Sequence, residues 1–339
     1  MRINSRKLPA ALAVAALLVT AACSGDENGS SSDADTDQVT YLTSFANFGR
    51  DSYVWVALEK GYFEEVGIDV TINPGAGAEN LAHLTSGQAD FAVADITLAM
   101  FAHDQNSDLG VTAVAAIHQN TMAGLMALES SGIREPGDLP GHTLADFNGS
   151  VMLTLFETYA NLAGFDADKV EIQHAPPQEL ASLLATGAVD VIGQFAVGEP
   201  LIETTAGEEA ILLPYSEYLT DLYGVVLYTA TETATENPDL VRRFTSALMR
   251  GLEYALDHPE EAGQILAKYD EAAIAEVAAR ELELMAPFAR PLNPGEPYGV
   301  LDRDRVARSI GLLEAAGSIQ PGLTPEQLVS FDLVPGSDQ

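Results

Sequence analysis

Short apolar segments alternate with helical patterns after residue 38. The apolar segments predict strands at residues 39–45, 68–72, 91–94, 111–117 and 125–128. Apolar side chains at helical spacing, beginning with Val54, predict helices over 51–66 and near 79–86. This βαβα order is typical of the α/β class and indicates a mostly parallel sheet with helices on both faces.

The same alternation returns after residue 142 and then gives way to helices. Strands are predicted at 143–147, 170–174, 189–193 and 225–228, and helices at 150–163, 178–186, 239–256, 259–268, 272–285, 302–316 and 324–329. The segment 84–91 (LTSGQADF) parallels 184–191 (LATGAVDV), each with a helix-ending Gly followed by an Asp and an apolar strand. This echo predicts two related lobes. The domain boundaries that we predict are 39–128 plus 225–339 for lobe 1 with its C-terminal helices, and 129–224 for lobe 2.

The N-terminal segment has the order of a secretory signal. Three basic residues precede an apolar run at 10–19, which ends in Thr-Ala-Ala-Cys at positions 20–23. Such an order is typical of a signal peptide, and about ten apolar residues are too few to span a bilayer. Cys23 follows two small residues, as in a bacterial lipobox. We therefore predict a lipoprotein signal peptide over 1–22 and lipidation at Cys23.

The segment 23–38 is rich in Ser, Gly and Asp and contains no large apolar residue. Such a composition cannot bury enough apolar surface to order itself, so we predict a flexible acidic tether. Together with the signal, it predicts an extracytoplasmic protein, lipid-anchored to the outer face of the bacterial cell membrane.

The charge balance excludes one class of partner. The chain has 16 Lys and Arg against 50 Asp and Glu, a formal net charge of −34. Nucleic-acid binding needs a basic surface, so none is expected. Cys23 is the only cysteine, which leaves no internal disulfide and no Cys-based metal site. The six histidines show no metal-ligand spacing, and we predict neither a metal nor a cofactor.

Three segments carry a resemblance to a known family. They are 53–70 (YVWVALEKGYFEEVGIDV), 86–91 (SGQADF) with Val93, and 238–241 (PDLV). This pattern resembles the solute-binding proteins of ABC importers for thiamine pyrimidine precursors, riboflavin, aliphatic sulfonates, taurine and nitrate. The resemblance covers roughly residues 39–290.

The resemblance implies a fold and a role. The implied fold is a periplasmic-binding-protein-like (type II) two-lobed fold, each lobe a mostly parallel sheet flanked by helices, with a helical C-terminal extension. The implied partners are a small-molecule nutrient and the ABC permease and ATPase subunits, and we expect the chain to be a monomer. Capture would proceed by closure of two lobes over the ligand.

In such a fold the ligand lies where strands end and the next helices begin, between the lobes. The loops expected there offer aromatic, amide and carboxylate groups. Our candidate ligand-binding residues are Phe45, Asn47, Arg50, Tyr53, Asp95, Thr97, His118, Asn148, Gly149, Ser150, Phe195, Glu199 and Tyr223.

The type of side chain in these loops favours one ligand class. Arg50 is the only cation among the predicted cleft loops. Aromatic walls with a few hydrogen-bonding groups suit a flat heterocycle, such as a thiamine pyrimidine precursor or riboflavin. Each of several side chains also has a purely structural interpretation. Arg50 would pair locally with Asp51, Phe156 and Trp55 would belong to the core, and Glu199 would cap the helix that begins at Pro200.

Three other functions remain open at this point, and one of them is a sensory or adhesion lipoprotein with the same fold. The first is the same transport role for an aliphatic sulfonate, taurine or nitrate, held by helix N-terminal amides near 148–150. The second is a pyrimidine-synthase-like enzyme, which the same resemblance includes. That enzyme relies on a histidine and a cysteine-rich segment, and the predicted folded part contains no cysteine. We therefore predict a binding protein rather than an enzyme.

Overall fold

The computed structural model describes residues 36–105 and 109–337. The predicted signal peptide, most of the predicted tether and Cys23 lie outside the described residues. Within them, no helix has both the length and the apolar character needed to cross a bilayer. The first strand begins at Asp37, two residues earlier than the sequence predicts, because the Asp37 amide donates to the Gly67 carbonyl (3.0 Å) and its carboxylate pairs with Arg243 (2.7 Å).

The described residues form strands and helices in close alternation. The strands are β1 (Asp37–Leu42), β2 (Phe45–Ala46), β3 (Ile68–Asn73), β4 (Gly75–Ala76), β5 (Phe91–Asp95), β6 (Val111–Ala116), β7 (Ala123–Leu128), β8 (Thr143–Asp146), β9 (Glu171–His174), β10 (Val191–Phe195), β11 (Ala210–Pro214) and β12 (Val225–Ala230). The helices are α1 (Tyr53–Glu59), α2 (Glu79–Thr85), α3 (Ile96–Gln105), α4 (Val151–Ala163), α5 (Pro177–Ala185), α6 (Glu199–Ala206), α7 (Thr231–Glu236), α8 (Pro238–Asp257), α9 (Pro259–Tyr269), α10 (Ala275–Ala289), α11 (Arg303–Ala315) and α12 (Pro325–Leu328).

The strands form two five-stranded sheets. The first sheet has the order β3-β1-β5-β12-β6 and the second has the order β11-β7-β10-β8-β9. In each sheet four strands run one way and one runs the other way, since β12 is antiparallel to both of its neighbours, and so is β7. The expectation of an α/β fold with two mostly parallel sheets is confirmed. A two-stranded ribbon of β2 and β4 is an addition that the sequence did not reveal.

The chain passes between the two sheets twice. Crossing 1, residues 117–122, leads from the end of β6 to the start of β7, and crossing 2, residues 215–224, leads from the end of β11 to the start of β12. After each crossing the chain enters the facing edge of the other sheet, so the first strand that it forms there runs opposite to the rest. The crossings therefore place the carboxyl edges of both sheets opposite each other.

The predicted boundary at residue 128 is wrong. The strand at 123–128 pairs with β10 and β11 and thus belongs to the second sheet. A short apolar strand looks the same whichever sheet it joins, because its register is decided by distant partners. The sequence also missed α3, α7 and β11, and the predicted helix over 51–66 ends at Glu59 before a short 3-10 turn, Glu64–Val66.

Strand residues alternate between two faces, as the period of a strand requires. Met126 and Leu128 of β7 pack with α5 and α6 in one cluster, whereas Leu125 and Ala127 face the opposite cluster with α4. That second cluster is continuous with residues of the first sheet. Apolar burial therefore holds each sheet between helices and also joins the two sheets.

An aromatic stack lies at the centre of the other face of the first sheet. Phe244 of α8 lies parallel to Phe91 of β5, with ring centroids 4.0 Å apart and planes 5° apart. Its ring also lies 5.1 Å from Phe63 and 5.9 Å from Tyr41. The stack joins the long C-terminal helix α8 to three separate parts of the first lobe.

The variant Phe244→Ala tests this stack. Removing a fully buried ring among three aromatic neighbours is expected to lower the free energy of unfolding by about 3–5 kcal/mol. Leu162→Ala, which truncates a side chain that is 46% exposed on α4, should change it by less than about 0.5 kcal/mol. Urea denaturation of both variants measures the difference, and equal stabilities would contradict the central role of Phe244.

Candidate functional site

The candidate site lies where the carboxyl edges of the two sheets face each other. The ends of β1, β3, β5 and β6 lie on the first edge, and the ends of β8, β9 and β10 lie on the second. Loops at such edges carry the binding groups of open α/β sheets. The side chains that follow these strands are therefore the ones to consider.

One group of side chains joins the two edges, and we call it the Arg50 cluster: Phe48, Arg50, His118 and Phe195. The guanidinium carbon of Arg50 lies 4.3 Å from the ring centroid of Phe48, on its own lobe. The same carbon lies 6.0 Å from the ring centroid of Phe195, which ends β10 of the other lobe. Guanidinium groups favour the faces of aromatic rings, so the cluster draws the lobes together.

The charge of Arg50 is balanced by two carboxylates. Its Nε lies 3.9 Å from Oδ2 of Asp51, and its backbone N–H donates to Oε2 of Glu281 on α10 (3.1 Å). Burial raises the pKa values of Asp51 and Glu281, and the nearby guanidinium opposes that rise. Two carboxylates beside one guanidinium leave no excess of positive charge at this point.

His118 completes the cluster as a neutral side chain. Its Nδ1 accepts a hydrogen bond from the Val225 backbone N–H (3.3 Å), which assigns the ring proton to Nε2. Burial, assisted by the charge of Arg50, lowers the pKa of His118 to about 3. The imidazole is therefore uncharged at neutral pH and offers one N–H donor.

Helix α10 lies against both lobes. It packs on the 3-10 turn Gly49–Asp51 of the first lobe and on the 3-10 turn Ala196–Gly198 of the second. The contact at Gly49 is so close that a Cβ there would lie 2.3 Å from Cα of Ala278. Arg280 of the same helix lies 4.0 Å from the carboxylate of Glu199 at the start of α6. One helix thus touches the loops that hold Arg50 and Phe195.

A buried amide fixes the first-lobe loops. The Asn80 side chain donates to the carbonyls of Thr43 and Val93 (2.8 Å each) and accepts from the Ala76 amide (2.9 Å). These bonds join the loop after β1 to the loop after β3 and to β5. Sequence reasoning did not single out Asn80, although a polar residue among the first residues of a helix was a signal available for it.

Two buried carboxylates each end a strand, one in each sheet. Asp95 ends β5 and accepts from the backbone N–H (3.0 Å) and hydroxyl (2.6 Å) of Thr97 at the start of α3. Asp146 ends β8 and accepts from the hydroxyl of Ser150 (2.6 Å), which caps α4. Burial raises the pKa of each aspartate to about 6. In both sheets a hydroxyl side chain near the start of the next helix therefore binds the buried carboxylate.

The predicted site residues separate into groups. The structure brings Arg50, His118 and Phe195 together, with Glu199 nearby through α10. Asn47 lies at the same rim, where its amide donates to Asp270 (2.9 Å). Phe45, Asn148 and Gly149 are exposed, the first on the β2–β4 ribbon and the others on the turn before α4.

Four predicted site residues lie in buried positions with their polar groups occupied. Tyr53 is 1% exposed and its hydroxyl bonds that of Tyr41 (3.1 Å). The Tyr223 hydroxyl accepts from the Asp302 amide (2.9 Å) behind the cleft. Thr97 and Ser150 support Asp95 and Asp146. These four side chains therefore have structural partners, and an aromatic or hydroxyl residue at a loop end gives no sign in the sequence of the direction it faces.

The alternatives stated for single residues also resolve. Phe156 and Trp55 are core residues. Arg50 does lie beside Asp51, but it also contacts Phe195. Glu199 is the first residue of α6 and Gly198 is its N-cap, so the capping interpretation is wrong. Sequence reasoning missed Glu281 and Asp270, which contact Arg50 and Asn47 from more than 200 residues away, and Arg280, which approaches Glu199.

Two cavities are lined by residues outside the Arg50 cluster. One, of about 380 Å³, lies beside crossing 2 and the end of α10 and is lined by Asn120, Ser216, Glu217, Thr220, Pro287, Phe288 and Leu292. The other, of about 210 Å³, lies between α3 and residues 319–327. Within the described ranges, no group of three or more His, Cys, Asp or Glu side chains is arranged to hold a metal ion.

Solved structures define the fold class. The periplasmic aliphatic sulphonate binding protein SsuA from Escherichia coli superposes with a TM-score of 0.68 at 16% identity, covering 88% of this chain and 92% of that chain. The periplasmic nitrate-binding protein NrtA from Synechocystis superposes with a TM-score of 0.65 at 12% identity, covering 88% and 87%. The protein has the periplasmic-binding-protein fold, as the sequence resemblance implied.

The sequence then defines the family. A family model described as NMT1/THI5 like matches residues 52–262, and the chain belongs to this family. A formylaminopyrimidine-binding protein of Halalkalibacterium halodurans is 25% identical over 324 residues, 93% of this chain and 96% of that protein. The riboflavin-binding protein RibY of Chloroflexus aurantiacus is 26% identical over 311 residues, 88% and 86%. A 4-amino-5-hydroxymethyl-2-methylpyrimidine phosphate synthase of Legionella pneumophila is 24% identical over 238 residues, 68% and 72%.

The close contact at Gly49 yields one prediction. Gly49→Ala places a Cβ against the backbone of Ala278, so α10 must shift, and we expect a loss of about 1–3 kcal/mol in unfolding free energy with faster amide exchange in α10. Gly311→Ala is the matched control, because a Cβ there meets nothing within 4 Å on α11 and should stabilise by about 0.4–1 kcal/mol. Urea denaturation and amide exchange measure both, and like behaviour of the two variants would refute the close packing.

The buried carboxylate of Asp95 yields a pH prediction. Because its pKa in the folded protein is about 6, above the ordinary value, the stability that it contributes is present below about pH 4 and is lost as the pH rises through 6. The variant Asp95→Asn has no carboxyl group to ionise and so does not lose this stability. The unfolding free energy of the variant minus that of the wild type should therefore rise by up to about 3 kcal/mol between pH 4 and pH 7.5. Asp69→Asn, on the exposed side of β3, controls for removing one charge from an acidic chain. A pH-independent difference in denaturation experiments would reject the assignment.

Proposed function

We propose that the protein is the substrate-binding component of an ABC-type importer and that it captures a small heterocyclic nutrient between its two lobes. The ligand class that we propose is a thiamine pyrimidine precursor or a riboflavin-like ring system. Membership of the NMT1/THI5-like family and the periplasmic-binding-protein fold support the transport role. The names of two relatives, a formylaminopyrimidine-binding and a riboflavin-binding protein, support the ligand class.

The Arg50 cluster is the observation that carries this proposal. Phe48 and Phe195 belong to different lobes and both lie near one guanidinium, which is 16% exposed. A flat ring can stack on such faces, while hydrogen bonds to its edge determine which ring is accepted. The N–H groups of Arg50 and the Nε2–H of His118 are donors suited to ring nitrogens and carbonyl oxygens.

The charge around the cluster opposes a small anion. Asp51 and Glu281 offset the charge of Arg50, and the whole chain carries a formal net charge of −34. A sulfonate or nitrate would have to enter against this field. A neutral heterocycle meets no such barrier, so we propose a heterocycle as the ligand in preference to a sulfonate or nitrate.

A binding role rather than catalysis fits the same residues. A general base at neutral pH needs a pKa near the working pH, whereas His118 has a pKa of about 3. Its Nδ1 is already occupied by the Val225 amide. We therefore propose that His118 orients the ligand and does not transfer a proton.

The N-terminal region completes the proposal. Lipidation at Cys23 and the predicted tether that follows it would hold the two-lobed body near the outer face of the cell membrane. Such a tether raises the effective concentration of the binder at its permease. Globomycin-sensitive processing and loss of membrane association in Cys23→Ser would support the anchor, and unchanged membrane association would reject it.

Thermal unfolding with a ligand panel tests the ligand class. Riboflavin and 4-amino-5-hydroxymethyl-2-methylpyrimidine represent the heterocycles, and taurine and nitrate represent the anions. A ligand at 100 times its Kd stabilises the folded state by about 2.7 kcal/mol, so binding should raise the Tm measurably. We expect stabilisation by a heterocycle. Stabilisation by taurine or nitrate alone would overturn the ligand class and leave the transport role intact.

The variant Phe195→Ala locates the binding site. Loss of one stacking face should weaken binding of the stabilising heterocycle about tenfold, measured by isothermal titration calorimetry. Ile172→Ala, on the outer strand β9 of the same lobe, is the control and should leave the affinity unchanged. Equal affinities of both variants would show that the ligand binds elsewhere.

A further inference from the structure

The two crossings are irregular backbone in the middle of the molecule. Crossing 1 and crossing 2 belong to no sheet for most of their length, so their carbonyl groups need partners other than strand neighbours. Any rotation of one lobe against the other must change the backbone angles of these two segments. The groups that bind their carbonyls therefore determine how freely the lobes move.

Arg305 of α11 binds both crossings at once. Its Nη2 donates to the Gln119 carbonyl and to Oδ1 of Asn120 (2.8 Å) in crossing 1. Its Nε donates to the Asp221 carbonyl in crossing 2 (3.0 Å), and its guanidinium carbon lies 4.1 Å from the ring centroid of Tyr223. The fixed fork of the guanidinium allows one side chain to reach two separate backbones.

The burial of this guanidinium is unusual for its charge. Arg305 is 5% exposed, and its side chain donates to carbonyl oxygens of the described residues rather than to a carboxylate. Its Nη1 is buried and has no hydrogen-bond partner among the described residues. A buried charged donor left without an acceptor costs free energy, so this arrangement calls for an explanation beyond stability.

The first turn of α11 is itself fixed to crossing 2. The Asp302 carboxylate caps the helix by accepting from the Arg305 amide (2.7 Å), and the Asp302 amide donates to the Tyr223 hydroxyl (2.9 Å). One turn later, Ser309 donates to the Asp221 carbonyl (2.8 Å). The backbone of α11 at Arg305 is therefore fixed to crossing 2, while the Nη2 group of Arg305 reaches crossing 1.

We propose that Arg305 is a positioning residue at the hinge, which couples the two crossings and sets the balance between the open and closed arrangements of the lobes. Its bonds to Gln119 and Asn120 hold crossing 1 in one conformation. Its unoccupied Nη1 supplies a donor for a different carbonyl when the lobes rotate. Arg305 does not touch the Arg50 cluster and acts on the ligand only through the relative position of the lobes.

The neighbouring Arg308 provides a matched control on the same helix. It is exposed, and its guanidinium binds the carboxylate of Asp221 through two bonds of 3.0 Å. It thus contacts crossing 2 and not crossing 1. Replacing Arg308 therefore removes an arginine from the same helix and leaves the contact of Arg305 with both crossings intact.

Amide hydrogen exchange in the absence of ligand tests the proposal independently of which ligand the protein binds. In Arg305→Met we expect exchange at 117–122 and 215–224 to become about tenfold faster, because charge-assisted bonds that hold both segments are lost. Arg305→Lys keeps the charge without the fork and should show the same pattern if the Met variant does not fold. The strands β1 and β8 should exchange as in the wild type.

Small-angle scattering of the same ligand-free variants supplies the second readout. We expect a changed radius of gyration in Arg305→Lys and an unchanged one in Arg308→Met. Exchange at 117–122 equal to that of the wild type would overturn the proposal. So would a uniform increase across all strands, because Arg305 would then stabilise the whole fold without acting at the hinge.

Discussion

The architecture depends on one constraint, the double passage of the chain between two sheets at their facing edges. Crossing 1 and crossing 2 both leave the carboxyl edge of one sheet and enter the other directly, which forces β7 and β12 to run against their neighbours. Because the edges face each other, loops after strands of both lobes meet, and Arg50 approaches Phe195. The position of the candidate site therefore follows from the order and direction of the strands, and the side chains at the strand ends determine its chemistry.

Much of the fold was predictable because local patterns determined it. The strands at 68–73 and 91–95 and the helices at 151–163 and 238–257 lie within one or two residues of their predicted positions, since apolar periodicity and Gly or Pro at the ends mark them. The helix α3 was missed because its apolar residues are not confined to one face. Such a segment shows no helical periodicity in the sequence. The assignment of β7 failed because strand pairing is decided by residues far along the chain.

The candidate site was predictable only in part, for a related reason. Arg50, His118 and Phe195 follow strands, and a parallel sheet brings such positions to one edge. Tyr53 and Tyr223 follow the same rule in sequence but turn inward, where Tyr41 and Asp302 engage their hydroxyls. Glu281 reaches Arg50 from α10, and no local pattern indicates which face of a distant helix will meet a given loop.

The segment 123–214 has a property that follows from the closeness of its two ends. It leaves the rest of the fold at crossing 1 and rejoins it at crossing 2, and these two points are close enough for one guanidinium to bond both. A segment whose two ends lie close together resembles an insertion into the rest of the fold. Such a segment can be exchanged between homologous chains without changing how the remaining chain folds. Recombination at these two junctions would replace the half of the candidate site that includes Phe195 and retain the half that holds Arg50. New ligand preferences can therefore arise by exchange of a whole lobe as well as by substitutions one residue at a time.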